Sequence, residues 1–444
     1  MFKKLKRSAL GASVPHEKVT AGMATEKMPV PAKIILPMSQ HIGAPCKPVV
    51  QKGDTVMVGS LVGEAGGFVS ANIYSGVSGT VAAVEQVLGP NGAMGTQVVI
   101  ETDGQQTVDP AVKPPEVTDK ASFVQAVRDC GLVGLGGAGF PAAVKLSPAT
   151  PVDTLVINGA ECEPYLTPDT REFLECSDTV MSGIEAVMKY LEIKNCVIGI
   201  ERNKPECIDL MCSLANGKPG ITVHPLPCRY PQGAEKTLIE SCTGREVPEL
   251  VPGDKPRPGL PADVGVIVMN VTSISTIGKF LNTGMPLITK RVTVDGDAVA
   301  NPKNVEAVIG TQLKDIVDFC GGVKEGVELG KVIYGGPMMG KAVPDLEVPL
   351  LRQNNGILLF SREMAKLPEV GACIRCGRCI EGCPMGLAPV QISGAYARRD
   401  VEALTKLKIN LCVECGTCTF VCPAKRPVTQ TMSLAKAFQR TGGK

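Results

Sequence analysis

The sequence predicts a multidomain α/β protein whose C-terminal part is mainly helical and rich in cysteine. Three observations support this fold class. Residues 1–115 alternate short apolar runs with glycine turns, residues 116–288 alternate apolar strands with helical segments, and residues 369–444 contain two regularly spaced cysteine runs. The length of 444 residues is enough for three or four domains.

Residues 1–115 are predicted to form a small β domain, because their apolar residues alternate with period two between glycine turns. The runs KGDTVMVGSLVG and IYSGVSGTV resemble the two halves of a lipoyl or biotinyl barrel-sandwich. Carriers of that family have a lysine at the hairpin tip, whereas this tip reads Ser75, Gly76, Val77. No swinging arm can be attached without that lysine, so we expect a docking or scaffold role.

Residues 116–288 are predicted to form an α/β domain with a parallel sheet. Its four apolar runs are TLVIN at 154, CVIGI at 196, ITVHPL at 221 and VGVIVMN at 264. Ahead of them lies a glycine loop with Gly134, Gly136 and Gly139, which follows a helical segment rather than the strand that a standard dinucleotide loop requires. Two interpretations stay open for this loop: a phosphate cradle of bare backbone amides, or a closely packed helix connection.

Polar side chains follow the strands of this domain, at the sheet edge where α/β proteins bind ligands. After the first strand come Asn158, Glu161, Glu163 and Tyr165, which suit ribose hydroxyls or a flavin edge; a solvated acidic loop is the alternative. The segments after the third and fourth strands add Tyr230, Gln232, Glu235, Lys236, Asn270 and Ser273. We therefore expect a ligand site at this edge.

Residues 289–345 show a strand, a helix and a return strand at the length of a β-grasp domain, and we predict no site in their GGPMMG turn. Residues 346–368 are predicted to be a linker. The segment between the two cysteine runs is predicted to be a helix pair, so residues 369–444 form a mainly helical domain.

The two cysteine runs, at 373–384 and 412–423, both follow the spacing C-x2-C-x2-C-x3-C-P. This spacing is typical of ferredoxins with two [4Fe-4S] clusters, in which the fourth cysteine of each run ligates the other cluster. It predicts two crossed ligand sets: Cys373, Cys376, Cys379 with Cys422, and Cys412, Cys415, Cys418 with Cys383. A structural zinc site would leave the third cysteine and the proline of each run unexplained.

Composition limits the remaining function classes. With 46 basic and 44 acidic residues the chain has no nucleic-acid footprint. The ten cysteines outside the two runs are irregularly spaced, as in proteins of reducing compartments. The N-terminus lacks the apolar region of a secretory signal, and no apolar run approaches 18 residues, so we expect a cytoplasmic protein that is soluble or peripherally attached to a membrane.

Four motifs together resemble the FMN- and NADH-binding core of the complex I flavin subunit. They are GLGGAGFP with the following VK, NGAECEP, the tyrosine and glutamate segment at 229, and the asparagine after the fourth strand. Over nearly the whole chain, the domain order is similar to that of the C subunits of Rnf complexes, which are membrane-bound ferredoxin:NAD oxidoreductases that move sodium or protons. Residues 289–345 are similar to the soluble-ligand-binding β-grasp (SLBB) domain of the same relatives.

The resemblance implies the site residues. Glu163 and Glu235 are implied as catalytic residues on the NADH side, next to Phe140. The implied cofactor-binding set also contains Gly134, Gly136, Gly137, Gly139, Lys145, Asn158, Tyr230, Asn270 and Ser273. Leu135 stands where the complex I flavin protein has an arginine, which places more weight on Lys145 as the cation for the FMN phosphate.

The resemblance also implies the function. Nicotinamide exchanges two electrons as hydride and an iron-sulfur cluster exchanges one, so a flavin is the required converter between NAD(H) and the clusters. The implied partners are the membrane subunits of the complex and an iron-sulfur, ferredoxin-like subunit, at the cytoplasmic side of the cell membrane. Two alternatives stay open: a soluble flavoprotein reductase of cobalamin or another one-electron acceptor, and a non-catalytic electron relay or scaffold.

Overall fold

The β domain consists of two small antiparallel sheets that share one core. The computed structural model describes residues 11–88, 94–252 and 257–443; residues 1–10, on which the expectation about a secretory signal rests, lie outside them. The short strand β1 (Glu26–Lys27) comes first along the chain. The strands of the two sheets are β2 (Lys33–Pro37), β3 (Lys47–Pro48), β4 (Thr55–Val56), β5 (Leu61–Glu64), β6 (Ile73–Tyr74), β7 (Gly79–Leu88) and β8 (Met94–Thr102). One sheet has the order β2-β8-β7-β4 and the other has the order β3-β5-β6. Ile34, Val62 and Ile100 belong to the shared core.

The hairpin tip of the β domain is an internal contact. Ser75 and Val77 are fully buried. Gly76 lies against Ile288 and Val308, at and beside two strands of the six-stranded sheet described below. A buried tip supports the scaffold role expected from the missing lysine.

The α/β domain has a four-stranded, all-parallel sheet, as predicted from its four apolar runs. Its strands are β9 (Thr154–Gly159), β10 (Asn195–Glu201), β11 (Ile221–Leu226) and β14 (Val266–Asn270). Its helices are α1 (Lys120–Asp129), α2 (Ala142–Lys145), α3 (Pro168–Glu175), α4 (Ser177–Tyr190), α5 (Pro205–Ala215), α6 (Glu235–Thr243) and α7 (Val271–Thr283). A small hairpin of β12 (Leu250–Val251) and β13 (Arg257–Pro258) precedes a 3-10 turn at Pro261–Val264.

The strand order β11-β10-β9-β14 places a topological switch point between β9 and β14. The chain proceeds from β9 to β11 in one direction and then returns to add β14 on the other side of β9. Crevices at the carboxyl ends of such strands are the usual ligand sites of open α/β sheets. Asn158 and Asn270 pair with each other at that end.

The third unit is a six-stranded sheet with the order β1-β16-β15-β19-β17-β18. Its further elements are β15 (Thr289–Asp295), β16 (Lys303–Val308), α8 (Leu313–Phe319), β17 (Leu329–Tyr334), β18 (Lys341–Ala342) and β19 (Gly356–Ser361). The prediction of a linker at 346–368 is wrong, because β19 is a buried inner strand that pairs with both β15 and β17. The sheet also takes up β1, so the segment before the β domain belongs to this unit.

The C-terminal unit is mainly helical, and the predicted helix pair between the cysteine runs is present as α10 and α11. Its helices are α9 (Arg378–Glu381), α10 (Pro389–Ala397), α11 (Val401–Lys406), α12 (Thr417–Phe420) and α13 (Val428–Arg440), with a 3-10 turn at Ile409–Leu411. Ile392, Leu404 and Met432 form the centre of its core. Within the described residues, no helix is both long and apolar enough to cross a membrane.

One buried cation joins three parts of the fold. Arg352 is 2% exposed and lies between β18 and β19. Its Nη1 donates to the carbonyl oxygens of Asn72 (2.7 Å) and Gly131 (2.8 Å), and its Nη2 donates to that of Ala71 (3.3 Å). Burial lowers the pKa of Arg352 to about 10. The guanidinium therefore ties the β domain and the α/β domain to the six-stranded sheet.

We predict that Arg352→Ala lowers the free energy of unfolding by about 3 kcal/mol, because it leaves the carbonyl groups of Asn72 and Gly131 without their guanidinium donor and removes one of the two donors to that of Ala71. Thermal unfolding and limited proteolysis measure the effect. The matched control is Arg362→Ala, since Arg362 is 75% exposed in its pair with Glu328 and is expected to change stability by less than about 1 kcal/mol. Equal melting temperatures for both variants would contradict the prediction.

Candidate functional site

The glycine loop closes on itself and lies against the first turn of α7. Gly134 donates its amide to the carbonyl of Phe140, and the amide of Leu135 donates to Ser273 Oγ at 3.0 Å. A Cβ on Gly136 would lie 2.7 Å from Asn270 Nδ2, so only glycine permits this approach. As predicted, the loop follows a helix, α1. Helix α2 is a single turn, so the helix N-terminus that the loop meets is that of α7.

The N-terminus of α7 is held by buried polar side chains. Asn270 caps the helix by accepting from the amides of Thr272 and Ser273. Asp169 accepts from Asn270 Nδ2 at 2.7 Å and from Thr272 Oγ1 at 2.9 Å. Burial raises the pKa of Asp169. Asn270 takes up the amides of Thr272 and Ser273, so it is the positive end of the helix dipole beside the glycine loop that suits an anionic group.

Lys145 and Glu235 form an ion pair at the same sheet edge. Lys145 Nζ donates to Glu235 Oε1 at 2.9 Å and to the carbonyl of Val268, in β14, at 3.1 Å. Their side chains are 32% and 41% exposed. The resemblance implies that the two residues lie on opposite sides of the flavin, at the phosphate and at the nicotinamide, whereas the structure places them in direct contact.

The carboxylate of Glu161 is a helix cap rather than part of a solvated acidic loop. It accepts from the amide of Asp169 at 2.7 Å and from Thr170 Oγ1 at 2.5 Å, at the start of α3. The recognition of a ribose or a flavin edge by Glu161 stays a prediction, and it would require the bonds that hold α3 to exchange. Tyr165 packs against Phe360, away from the glycine loop.

Glu163 connects the site to the turn at 335–340. Its carboxylate accepts from the amides of Met338 (3.0 Å) and Met339 (2.9 Å) and from the hydroxyl of Tyr230 (3.3 Å). Burial raises the pKa of Glu163. Contact with NADH would require these bonds to exchange, so the catalytic role of Glu163 stays a prediction. The turn at 335–340 is the GGPMMG segment, for which the sequence predicts no site, and its amides contact the predicted site residue Glu163.

A lysine that no sequence pattern singles out holds the loop after β9. Lys18 Nζ donates to the carbonyl oxygens of Glu161 (2.9 Å), Glu163 (3.0 Å) and Leu166 (2.5 Å). Burial lowers its pKa. Three carbonyls turned toward one ammonium fix the path of this loop, in which Glu161 and Tyr165 adopt positive φ values of 48° and 68°.

The other predicted residues have structural partners as well. Asn158 Nδ2 donates to the carbonyl of Gly233 at 3.0 Å, which joins β9 to the segment before α6. Gln232 donates to Ser241 Oγ at 2.9 Å. Phe140 is half-buried at the end of the glycine loop, whereas Gly136 and Gly137 are exposed. The surface that can receive a ligand thus consists of the exposed loop, Asn270, Lys145 and Glu235, whereas Ser273 is buried beneath the loop.

Four cysteines surround a small cavity in the helical unit. Cys383, from the first run, lines it together with Cys412, Cys415 and Cys418, from the second. These are the four members of one predicted crossed set. Burial raises the pKa of Cys412 to about 12 and of Cys418 to about 11, so their deprotonation must be coupled to the binding of a cation.

Four thiols around one cavity are the ligands that a cubane cluster requires. Within residues 11–88, 94–252 and 257–443, no group of three or more His, Cys, Asp or Glu side chains is arranged to hold a single metal ion. In the other predicted set, Cys373 and Cys376 are exposed, and Cys379 and Cys422 are half-buried.

The cysteine cavity adjoins Tyr230 and Met338, which contact Glu163. Tyr230 and Cys415 are buried in one apolar cluster with Ala12 and Val14, and Met338 packs against it. A Cβ on Gly416 would lie 2.6 Å from the carbonyl oxygen of Met338, which is a second close approach that requires glycine. The same turn therefore contacts Glu163 on one side and a predicted cluster ligand on the other.

Four family models match successive parts of the chain. They are an RnfC barrel-sandwich hybrid domain at residues 6–105, a Nuo51 FMN-binding domain at 127–279, an SLBB domain at 291–342 and a 4Fe-4S dicluster domain at 372–426. These matches confirm the predicted fold class and the prediction of FMN and iron-sulfur clusters as cofactors.

A solved structure shares the fold. The chain superimposes with a TM-score of 0.50 and 19% identity on a chain from the structure of an NAD+-reducing [NiFe]-hydrogenase in the air-oxidised state. The match covers 72% of this chain and spans 61% of the length of that one. At this identity the likeness concerns the fold alone.

Curated relatives match over most of their length. The chain is 42% identical to the C subunit of the proton-translocating ferredoxin:NAD(+) oxidoreductase complex of Clostridium ljungdahlii, over 96% of this chain and 92% of the relative. It is 43% identical to the Na(+)-translocating counterpart of Acetobacterium woodii, over 84% of this chain and 82% of the relative. It is 38% identical to the C subunit of the ion-translocating oxidoreductase complex of Rhodobacter capsulatus, over 95% of this chain and 80% of the relative. The chain belongs to the family of C subunits of ion-translocating ferredoxin:NAD(+) oxidoreductase complexes.

Proposed function

We propose that this protein exchanges electrons with NAD(H) at FMN and carries single electrons through two [4Fe-4S] clusters, so that ferredoxin oxidation is linked to NAD reduction or the reverse. Bound FMN supplies the exchange between the two-electron chemistry of nicotinamide and the one-electron chemistry of the clusters. The observation that carries the proposal is the contact of the four-thiol cavity, through Tyr230 and Met338, with the loop that follows β9.

The two cluster sites differ in position, and this difference supports an assignment of which site lies nearer to the flavin. The set of Cys383, Cys412, Cys415 and Cys418 surrounds a cavity next to Tyr230. The set that begins with Cys373 and Cys376 is exposed. Accordingly, the enclosed set is the site nearer to the flavin, and the exposed set faces the external electron partner.

For the flavin itself, the proposed phosphate site is the exposed part of the glycine loop against Asn270 and Ser273. Glu235, at 41% exposure, is the carboxylate at the rim that NADH can reach without rearrangement. Glu163 is more enclosed, and its proposed role on the NADH side includes holding the turn at 335–340 in place.

The proposed setting is the cytoplasmic side of the cell membrane, with membrane subunits and an iron-sulfur, ferredoxin-like protein as partners. Two observations support it: the relatives are named as subunits of ion-translocating complexes, and no described helix could span a membrane. Attachment would then be through protein contacts.

We predict that Cys383→Ala removes the cluster of Cys412, Cys415 and Cys418, lowering iron from about eight to about four atoms per chain in anaerobic preparations. Crossed ligation makes the combined variants informative. Adding Cys415→Ala should remove no further iron, whereas adding Cys376→Ala should remove nearly all of it. The reverse result would show that each run holds its own cluster. Cys212→Ala, an exposed cysteine outside both runs, is the control.

We predict that Glu235→Gln retains FMN but slows bleaching of the flavin band by NADH about tenfold, because a charged acceptor for the nicotinamide side becomes neutral. Stopped-flow absorbance measures the rate, and dithionite bleaching should be unchanged. Glu185→Gln is the control, since Glu185 forms a comparable surface ion pair with Lys218. A wild-type rate with NADH would remove Glu235 from the site.

For attachment, we predict that the chain co-expressed with its partner subunits sediments with membranes and is released by a chaotrope. Expressed alone, it should stay in the supernatant, because it would lack the proteins to which it docks. Quantitative blotting of the two fractions measures this. Retention in the pellet without partners would mean that the chain binds the bilayer directly.

A further inference from the structure

We propose that Lys290 positions the glycine loop for the flavin phosphate and supplies the positive charge that Leu135 does not provide. Lys290 lies in β15, in the six-stranded sheet outside the α/β domain, and is 2% exposed. Its Nζ donates to the carbonyl oxygen of Leu135 at 3.2 Å. The inference rests on the proposed flavin site and adds a residue from a different domain to it.

The hydrogen bond from Lys290 sets the direction of one peptide group. The bond between Leu135 and Gly136 is trans, so its C=O and N–H point in opposite directions. Because the carbonyl oxygen points toward the buried lysine, the amide of Gly136 points away from it. Gly136 and Gly137 are exposed, so this amide is directed toward the open side of the loop.

The loop so oriented meets a helix N-terminus. Leu135 is also bonded through its amide to Ser273 Oγ, and Gly136 touches Asn270, the N-cap of α7. Helix α7 has 13 residues, enough for its N-terminal amides and dipole to favour an anion. Lys290, on the buried side of the loop, therefore holds the glycine loop in place against the N-terminus of α7, and these two elements form the anion site.

Two carboxylates and a second cation lie near Lys290. The charged groups around it are Asp169 and Glu172 of α3 and its neighbour Arg291 in β15. Asp169 is itself bonded to Asn270 and Thr272, and Glu172 is bonded to Arg291. Burial lowers the pKa of Lys290 to about 8, and a dianionic phosphate nearby would favour its ammonium form.

The resemblance implies Lys145 as the cation at the phosphate, but the side chain of Lys145 is less available to bind a phosphate. It is bonded to Glu235, whose carboxylate offsets its charge, and to the carbonyl of Val268. Lys290 makes no hydrogen bond to a carboxylate among the interactions of the described residues. Both lysines therefore have carboxylates nearby, and what distinguishes Lys290 is its hydrogen bond to the glycine loop itself, in surroundings of low dielectric constant.

The test compares FMN with riboflavin, which lacks the phosphate, in titrations of the flavin-free full chain by fluorescence quenching. Lys290→Met should weaken FMN binding about tenfold, the effect of losing a hydrogen bond and charge at an ionised group, and should change riboflavin binding by less than about twofold. Lys290→Gln keeps a hydrogen-bond donor but has no charge, so it should show the same loss of preference for FMN over riboflavin. It replaces the methionine variant in the test if that variant does not fold.

The pH profile gives a second readout. The wild-type preference for FMN should fall as the pH rises above about 8, because the ligand-free chain then loses the proton of Lys290, whereas bound phosphate favours its retention. The Lys290→Met chain should lose this dependence.

Lys204→Met is the matched control, because Lys204 is also buried and its Nζ donates to a carbonyl of the same sheet edge, that of Ala160, at 2.8 Å. It should lower stability and leave the ratio of FMN to riboflavin affinity unchanged. If Lys290→Met weakens both flavins equally, or neither, the inference is overturned and Lys290 is only structural. If the wild-type chain binds both flavins equally, the FMN assignment fails, and this inference fails with it.

Discussion

Buried cations bonded to backbone carbonyls hold the parts of this protein around the parallel sheet. Arg352 binds carbonyls of the β domain and of the segment after α1, Lys18 binds three carbonyls of the loop after β9, and Lys290 binds the glycine loop. A buried charge is costly unless its donors are satisfied, and carbonyl groups in turn need donors. Because each cation comes from outside the α/β domain, the site's loops take their native shape only when the domains are assembled.

This dependence gives the site a rigid wall toward the cysteine cavity. Glu163 holds two amides of the turn at 335–340, and the same turn approaches Gly416 beside Cys415. Tyr230 fills the space between them and is 1% exposed. A packed contact of this kind excludes water and keeps the distance between two redox sites constant, which is what electron transfer between a flavin and a cluster requires.

Sequence reasoning succeeds for those features whose signal is local. The four parallel strands are continuous apolar runs, α1 has a helical pattern that ends near Gly131, and the cysteine spacing predicts the set that lines the cavity. The failures are non-local. The strand Gly356–Ser361 falls in the predicted linker because its partners β15 and β17 lie far away in the sequence. Likewise, nothing in the sequence around Lys18 or Lys290 indicates which carbonyl each binds, although two adjacent cations in an apolar strand, Lys290 and Arg291, are a signal of buried partners.

The position of Leu135 illustrates how such compensation works. Leu135 is 1% exposed and part of the central core, so its side chain anchors the loop while its carbonyl faces Lys290. In the proposed site the charge of Lys290 lies behind the backbone, where it would act through an oriented peptide and a medium of lower dielectric constant. On that proposal, a loop without its own cation serves as an anion site as long as the six-stranded sheet stays docked against it.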